Sequence, residues 1–464
     1  MQLARAVTTD GESASLVRQF GDGFRRTGVG SNVVFAFLVR IASALILYVS
    51  QIALARWMGD FEYGIYVVVW TWVLLLGGLS TLGLSTAMMR LLPEQRERGA
   101  FDLMRGLLLG GRVVPVAFSA AVAIAGLAGL RLFGSAMDSH YLLPAYLALV
   151  CLPLVTLTDL QDGIGRANGW VGVALLPPYV VRPLVILAAM IGAHEAGLDM
   201  SAATAVAAAI VAASVAAIAQ TLFLGHRLRS AIPRGPRAIA LGPWFKMSLP
   251  LLLITGCEVL MQTIDVLVIS HYLPPSDIAI YFAATKTMSV VLFVHFAVGS
   301  AFANRFASLS ARGDQHALKG TIRQAVNWTF WPSLAVALAI LALGRPVLWL
   351  FGPQFTAGYG VMAILAVGYL AKAATGPSEF VLNMLGQQRG CVAGLAATVA
   401  LNLLLCVLLV PSFGPAGVAI ATATAWTANA ALNTLLARRH LGIDIAIWSN
   451  LPLLPIRRGM QQPV

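Results

Sequence analysis

Two apolar segments, 248–271 and 278–303, flank the turn Tyr272-Leu273-Pro274-Pro275-Ser276-Asp277. Each exceeds the ~20 apolar residues that a helix needs to cross a bilayer. Yet the first carries Glu258, Gln262 and Asp265, and the second carries Lys286. Spacing of i, i+4, i+7 puts the three polar groups of the first segment on one helical face. A charge at mid-membrane costs about 2.5–3.5 kcal/mol on the insertion scale, so it avoids lipid. Such a chain folds only if its helices enclose a polar interior.

The same apolar pattern fills the rest of the chain. Of 464 residues, 59% are hydrophobic and 11% charged, against about 25% charged in a soluble protein, which specifies an all-α integral membrane protein. About twelve transmembrane helices are expected, at 33–54, 64–88, 107–130, 142–160, 173–192 and 202–225, then at 248–271, 278–303, 329–351, 361–384, 391–410 and 418–436. The net charge of +12 is not a nucleic-acid footprint, because the basic residues are scattered through short loops. Outside the spans only Arg56 and Arg131 fall on one side of the membrane; every other loop or terminal Lys and Arg falls on the other. The positive-inside rule then places both termini in the cytoplasm of a multi-pass inner-membrane protein. Residues 1–31 lack an apolar leader, so no cleavable signal peptide is expected. Cys151, Cys257, Cys391 and Cys406 fall inside apolar segments without metal-ligand spacing and read as packed hydrophobes.

The chain also repeats itself. Ala55 to Tyr66 (ARWMGDFEYGIY) aligns without gaps with Ser270 to Tyr281 (SHYLPPSDIAIY), ending in an Ile-Tyr identity, and both passages form the turn after the first span of a half. With six spans per half, both halves enter from the same face, as parallel repeats. The expected organisation is a cytoplasmic segment 1–32, an N-lobe 33–226, a linker 227–247, a C-lobe 248–436 and a cytoplasmic tail 437–464. The two six-helix lobes meet around a central cavity.

The interior charges are Arg40, Arg182, Lys286 and Lys372, opposed by Glu258, Asp265 and Glu379. Either they pair across helices and pin the packing, or they line a hydrated, net-cationic cavity for an anionic solute. Arg112 and Arg345 lie near span ends and are expected to snorkel. Lys372 and Glu379 stand two helical turns apart, so a direct pair is not expected. Pro177, Pro178 and Pro183 flank Arg182, which predicts a bent or unwound helix there. Gln262, Asn383, Trp426 and Asn429 are candidate sugar contacts, though such mixed faces also simply pack helices. His295, alone on an apolar face, reads as a packed histidine. No phosphate-binding loop, metal-ligand cluster or Asp-x-Asp pair occurs, so neither catalytic residues nor a metal site are expected, and an H⁺ or Na⁺ gradient or the membrane potential is the candidate energy source.

Four passages carry a family resemblance: ARWMGDFEYGIY from Ala55, LGLSTAMMR from Leu82, LFGPQF from Leu350, and NMLGQQR from Asn383 through GPAGVA from Gly414. In that order and spacing the chain resembles the polysaccharide biosynthesis (O-antigen and exopolysaccharide) flippases of the multidrug/oligosaccharidyl-lipid/polysaccharide exporter superfamily. The resemblance implies a V-shaped two-lobe transporter that moves an undecaprenyl-pyrophosphate-linked oligosaccharide across the bacterial inner membrane by alternating access. It implies that Arg40, Arg182, Lys286 and Lys372 hold the pyrophosphate or acidic sugars, and leaves ion coupling or cavity pairing to Glu258, Asp265 and Glu379. Membrane lipid, a polysaccharide polymerase and glycosyltransferases are the implied partners, and nucleic acid is not. The alternatives are a multidrug exporter of the same superfamily and a membrane-embedded polymerase or ligase, which would need a large outer loop that the sequence lacks.

Overall fold

The computed structural model describes residues 29–136 and 138–449, leaving out the side chains of 29–41 and 136. The terminal segments 1–28 and 450–464, on which the placement of the termini bears, lie outside the described residues. Among the described residues the chain is helical throughout, without a strand. Ten helical stretches are long and apolar enough to cross a membrane. Two of these are hairpins, so the crossings among the described residues number twelve, as the sequence leads one to expect.

The first hairpin turns at Gly59 (φ 76°, ψ 173°), which divides Val29–Ser80. In an unbroken helix residues 51 and 63 would stand about 18 Å apart. Instead the Tyr63 hydroxyl donates to Gln51 Oε1 at 2.7 Å. The last hairpin turns at Gly414 (φ 55°, ψ −136°) within Gln388–Leu436, and Asn429 Nδ2 reaches Thr398 Oγ1 at 3.0 Å across it. Both positive φ values favour glycine.

The crossings are therefore α1 (29–58), α2 (60–97), α3 (Phe101–Phe133), α4 (Ser139–Ala167), α5 (Val171–Glu195) and α6 (Ala202–Ala231). The second half holds α7 (Leu241–Tyr272), α8 (Pro275–Ala311), α9 (Gln315–Ala342), α10 (Pro353–Met384), α11 (388–413) and α12 (415–436). Helix α6 begins at Ser201, whose side chain caps Thr204 N. Its buried stripe of Ala202, Ala205, Ala209, Ala212 and Ala216 admits α4 and α5 at close range, because small side chains let backbones approach in lipid.

At the arginine-poor end the two lobes are fastened together by the two repeated turns. A Cβ on Gly64 of α2 would fall 1.9 Å from the Pro275 carbonyl oxygen at the start of α8. Tyr63 packs edge-on against Phe282 and Phe355, and the Tyr48 hydroxyl lies 2.7 Å from Thr287 Oγ1. Arg56 donates to the carbonyls of Leu350 (2.7 Å) and Trp349 (2.9 Å) and lies over the Trp349 ring. The sequence repeat is thus the interlobe contact itself.

Gly64→Ala is expected to destabilise the protein by about 1–3 kcal/mol through overpacking against backbone. Gly129→Ala, which meets open space, should leave the thermal midpoint in detergent near wild type. Equal midpoints for the two variants would contradict the close approach.

Candidate functional site

In the N-lobe, Pro178 and Pro183 lack the N–H that would continue the α-helical ladder. The chain answers with a π-helical turn, Pro177–Val181, closed by the Arg182 N–H donating to the Pro177 carbonyl. This is the local unwinding that the prolines predict. It presents Arg182 over the Trp70 ring at 5.6 Å and within electrostatic reach of Asp159 on α4. One turn along α4, Asp162 holds Arg166 at 2.6 Å.

Lys286 on α8 is exposed. Its ammonium lies 5.0 Å from the Phe282 ring. Neither Arg182 nor Lys286 forms an ion pair among the described residues. Asp265, in contrast, is buried. Its Oδ2 accepts from the Tyr281 hydroxyl at 2.7 Å and its Oδ1 from Val266 N at 2.9 Å, which ties α7 to α8. Glu258 and Gln262 on the same helix are exposed, with Gln262 Nε2 donating to the Glu258 carbonyl.

The expectation that Lys372 and Glu379 stay apart is wrong. Lys372 Nζ donates to Glu379 Oε1 at 3.0 Å, and the ammonium lies 3.7 Å from the Trp426 ring centroid. The two-turn separation assumed a continuous helix, but α10 breaks after Ala374 at Thr375, Gly376 (φ 56°) and Pro377, then restarts at Ser378. The Gly-Pro dipeptide was the legible signal for that break. His295 is buried nearby, within electrostatic reach of both partners, and its ring nitrogens have no hydrogen-bond partner among the described residues.

Asn429 is enclosed in an interhelical chain, donating to Thr398 and accepting from Asn433, whose amide also reaches Ser378. Asn383 is half-buried on the segment after the break, and Trp426 is half-buried beneath Lys372. The side chain of Arg40 lies outside the described residues. The structure thus brings Lys372, Glu379 and Trp426 together and leaves Arg182 and Lys286 as separate cations. Sequence reasoning missed Asp159, Asp162 and Arg166, because it ended the fourth span at residue 160; their i, i+3, i+7 spacing on one face was the available signal.

The chain matches the polysaccharide biosynthesis protein family over residues 29–303 and the MatE family over 250–408. It is 26% identical over 184 residues to a probable low-salt glycan biosynthesis flippase, Agl15, of Haloferax volcanii. That match covers 39% of this chain and spans 38% of the relative's length. Among solved structures, the lipid II flippase MurJ in an inward closed conformation superposes with a TM-score of 0.69 at 12% identity, covering 87% of each chain. An inward-facing multidrug resistance MATE family transporter of the MOP superfamily superposes with a TM-score of 0.67 at 14% identity, covering 87% of this chain and 98% of that one. These likenesses establish the two-lobe transporter fold.

Lys372→Met leaves the Glu379 carboxylate without its cation. Since removing one partner of a buried pair costs about 3–5 kcal/mol and Glu379 retains some water, the loss should fall at the low end of that range. The Lys372→Met/Glu379→Gln double variant should recover most of it in thermal melts. A double variant less stable than the single one would count against the pairing.

Proposed function

Because the chain belongs to the polysaccharide biosynthesis protein family and is a membrane transporter rather than an enzyme, we propose that it is a flippase for a lipid-linked glycan with an anionic phosphate linker. One observation carries this reading: Arg182 and Lys286 are cations without ion-pair partners among the described residues, and Lys286 is exposed. In an apolar surround such charges favour an anion, and a guanidinium matches phosphate oxygens in bidentate geometry. The substrate proposed is undecaprenyl-pyrophosphate-linked oligosaccharide in the inner membrane of a bacterium. The proposed topology has both termini in the cytoplasm.

The lobes, proposed as 33–226 and 248–436, rock about the linker so that the headgroup crosses while the polyprenyl tail stays in lipid. Glu258 and Gln262, exposed on α7, and Trp426 supply polar and stacking contacts for sugars. A membrane potential negative inside drives an uncompensated anion outward, by about 2.3 kcal/mol per charge per 100 mV, so the potential alone favours export. A polysaccharide polymerase would consume the product, and glycosyltransferases would supply the substrate. A multidrug exporter is the second reading, favoured by the accessible carboxylate of Glu258, which suits an organic cation.

Deleting the gene in its host should cause lipid-linked repeat units to accumulate on the side where they are made, with rescue by wild type. Arg182→Ala or Lys286→Ala should lower rescue by about 10- to 100-fold, the equivalent of ~1.5–3 kcal/mol for hydrogen bonds to charged groups. Full rescue by both variants would keep the flippase and remove this site. Normal glycan together with new sensitivity to cationic drugs would select the exporter.

A further inference from the structure

A second basic site lies apart from the interlobe interior. A cavity of about 570 Å³ opens where the start of α3, the end of α6 and the linker converge. Arg105, Arg112, Arg229, Arg234 and Arg237 line it, and no carboxylate does. Its floor is fixed. Arg105 donates through Nε to the Pro236 carbonyl and through Nη1 to the Pro233 carbonyl, each at 2.7 Å. Ala238 N donates to the Asp102 carbonyl, and a Cβ on Gly106 would fall 1.7 Å from the Ala238 oxygen. The linker therefore lies directly on α3, and the arginines it carries are held close to those of the helices.

Arg112 stands two turns farther along α3 on the same face as Arg105. It is half-buried. Its Nε and Nη2 are shut off from solvent and have no hydrogen-bond partner among the described residues. Two guanidinium nitrogens shielded without an acceptor are suited to an anion. Leu109 and Val113, exposed on the rim, present the apolar surface that acyl chains cover.

We propose that this cavity binds the phosphate headgroup of an anionic phospholipid from the leaflet on the arginine-rich face, with Arg112 as its deep contact and Arg234 and Arg237 closing over it from the linker. A lipid is favoured over a free anion because the opening lies beside apolar, exposed helix surface. Basic pockets between transmembrane helices suit such headgroups. Lipid held there would brace the segment joining the two lobes. This inference does not depend on the identity of the transported substrate.

The full-length protein would be reconstituted in phosphatidylcholine nanodiscs with and without phosphatidylglycerol, then released for native mass spectrometry. Wild type should retain phosphatidylglycerol over phosphatidylcholine by about tenfold or more, and its thermal midpoint should rise with phosphatidylglycerol. Arg112→Gln removes an unpartnered charge and should fold; Arg234→Gln is an exposed linker change. Each should lower the preference several-fold, and together they should bring it near parity. Absence of a preference in wild type, or its survival in the double variant, would overturn the proposal. Displacement of the lipid by millimolar inorganic phosphate, with the same stabilisation, would assign the site to a free anion and overturn the lipid assignment.

Discussion

An ionised side chain inside a bilayer must be paired, hydrogen-bonded or wetted, because lipid offers it nothing. That single requirement sorts the interior of this protein. Lys372 and Arg166 are neutralised by Glu379 and Asp162, and Asp265 is held by Tyr281 and a backbone N–H. What remains is the informative set. Arg182 follows a π-helical turn, and Lys286 is exposed. Paired charges explain how helices are pinned; the residual cations are where a function for an anion can reside. Net composition alone does not make this distinction, since the same set of charges is compatible with either outcome.

The twelve crossings were legible because hydropathy over ~20 residues integrates many weak signals. Even the two hairpins hidden inside continuous helical stretches were placed, since Gly59 and Gly414 interrupt apolar runs too long for one bilayer. Side-chain partnerships were less legible. They depend on whether a helix runs straight, and one Gly-Pro step moved Glu379 from two turns away into contact with Lys372. Arg112 is a second case: its position near a span end suggests an escape to water, yet its Nε and Nη2 are shielded from solvent without a hydrogen-bond partner among the described residues. The linker is shorter than the apolar pattern indicates: α6 runs to Ala231 and α7 starts at Leu241, because Leu228, Ile232 and Trp244 pack together with α3 residues such as Leu107. Tertiary burial thus extended both helices past the end of their most apolar stretch.

The polar residues of α12 make a related point. Asn429 and Asn433 lie on a face that could meet a sugar, but in the fold their amides hydrogen-bond to Thr398 and Ser378 on neighbouring segments. In a bilayer an amide without a partner is costly, so packing claims it unless water reaches it first. Trp426, one turn away, is half-buried, with Lys372 over its ring.

The arrangement of the interlobe contacts bears on how alternating access, as proposed, would proceed. The closure at the arginine-poor end combines the Gly64–Pro275 approach, an aromatic cluster and three hydrogen bonds involving Arg56 and Tyr48. None of these uses an interior charge that the proposed substrate would touch. Opening that end must break these hydrogen bonds, each worth about 0.5–1.5 kcal/mol net. Separating the aromatic surfaces costs more, and that attraction is non-directional. A closure built this way resists partial opening, because packed rings separate together. The repeated turns are suited to act as a latch: each half of the chain contributes one, and they separate without dismantling either lobe.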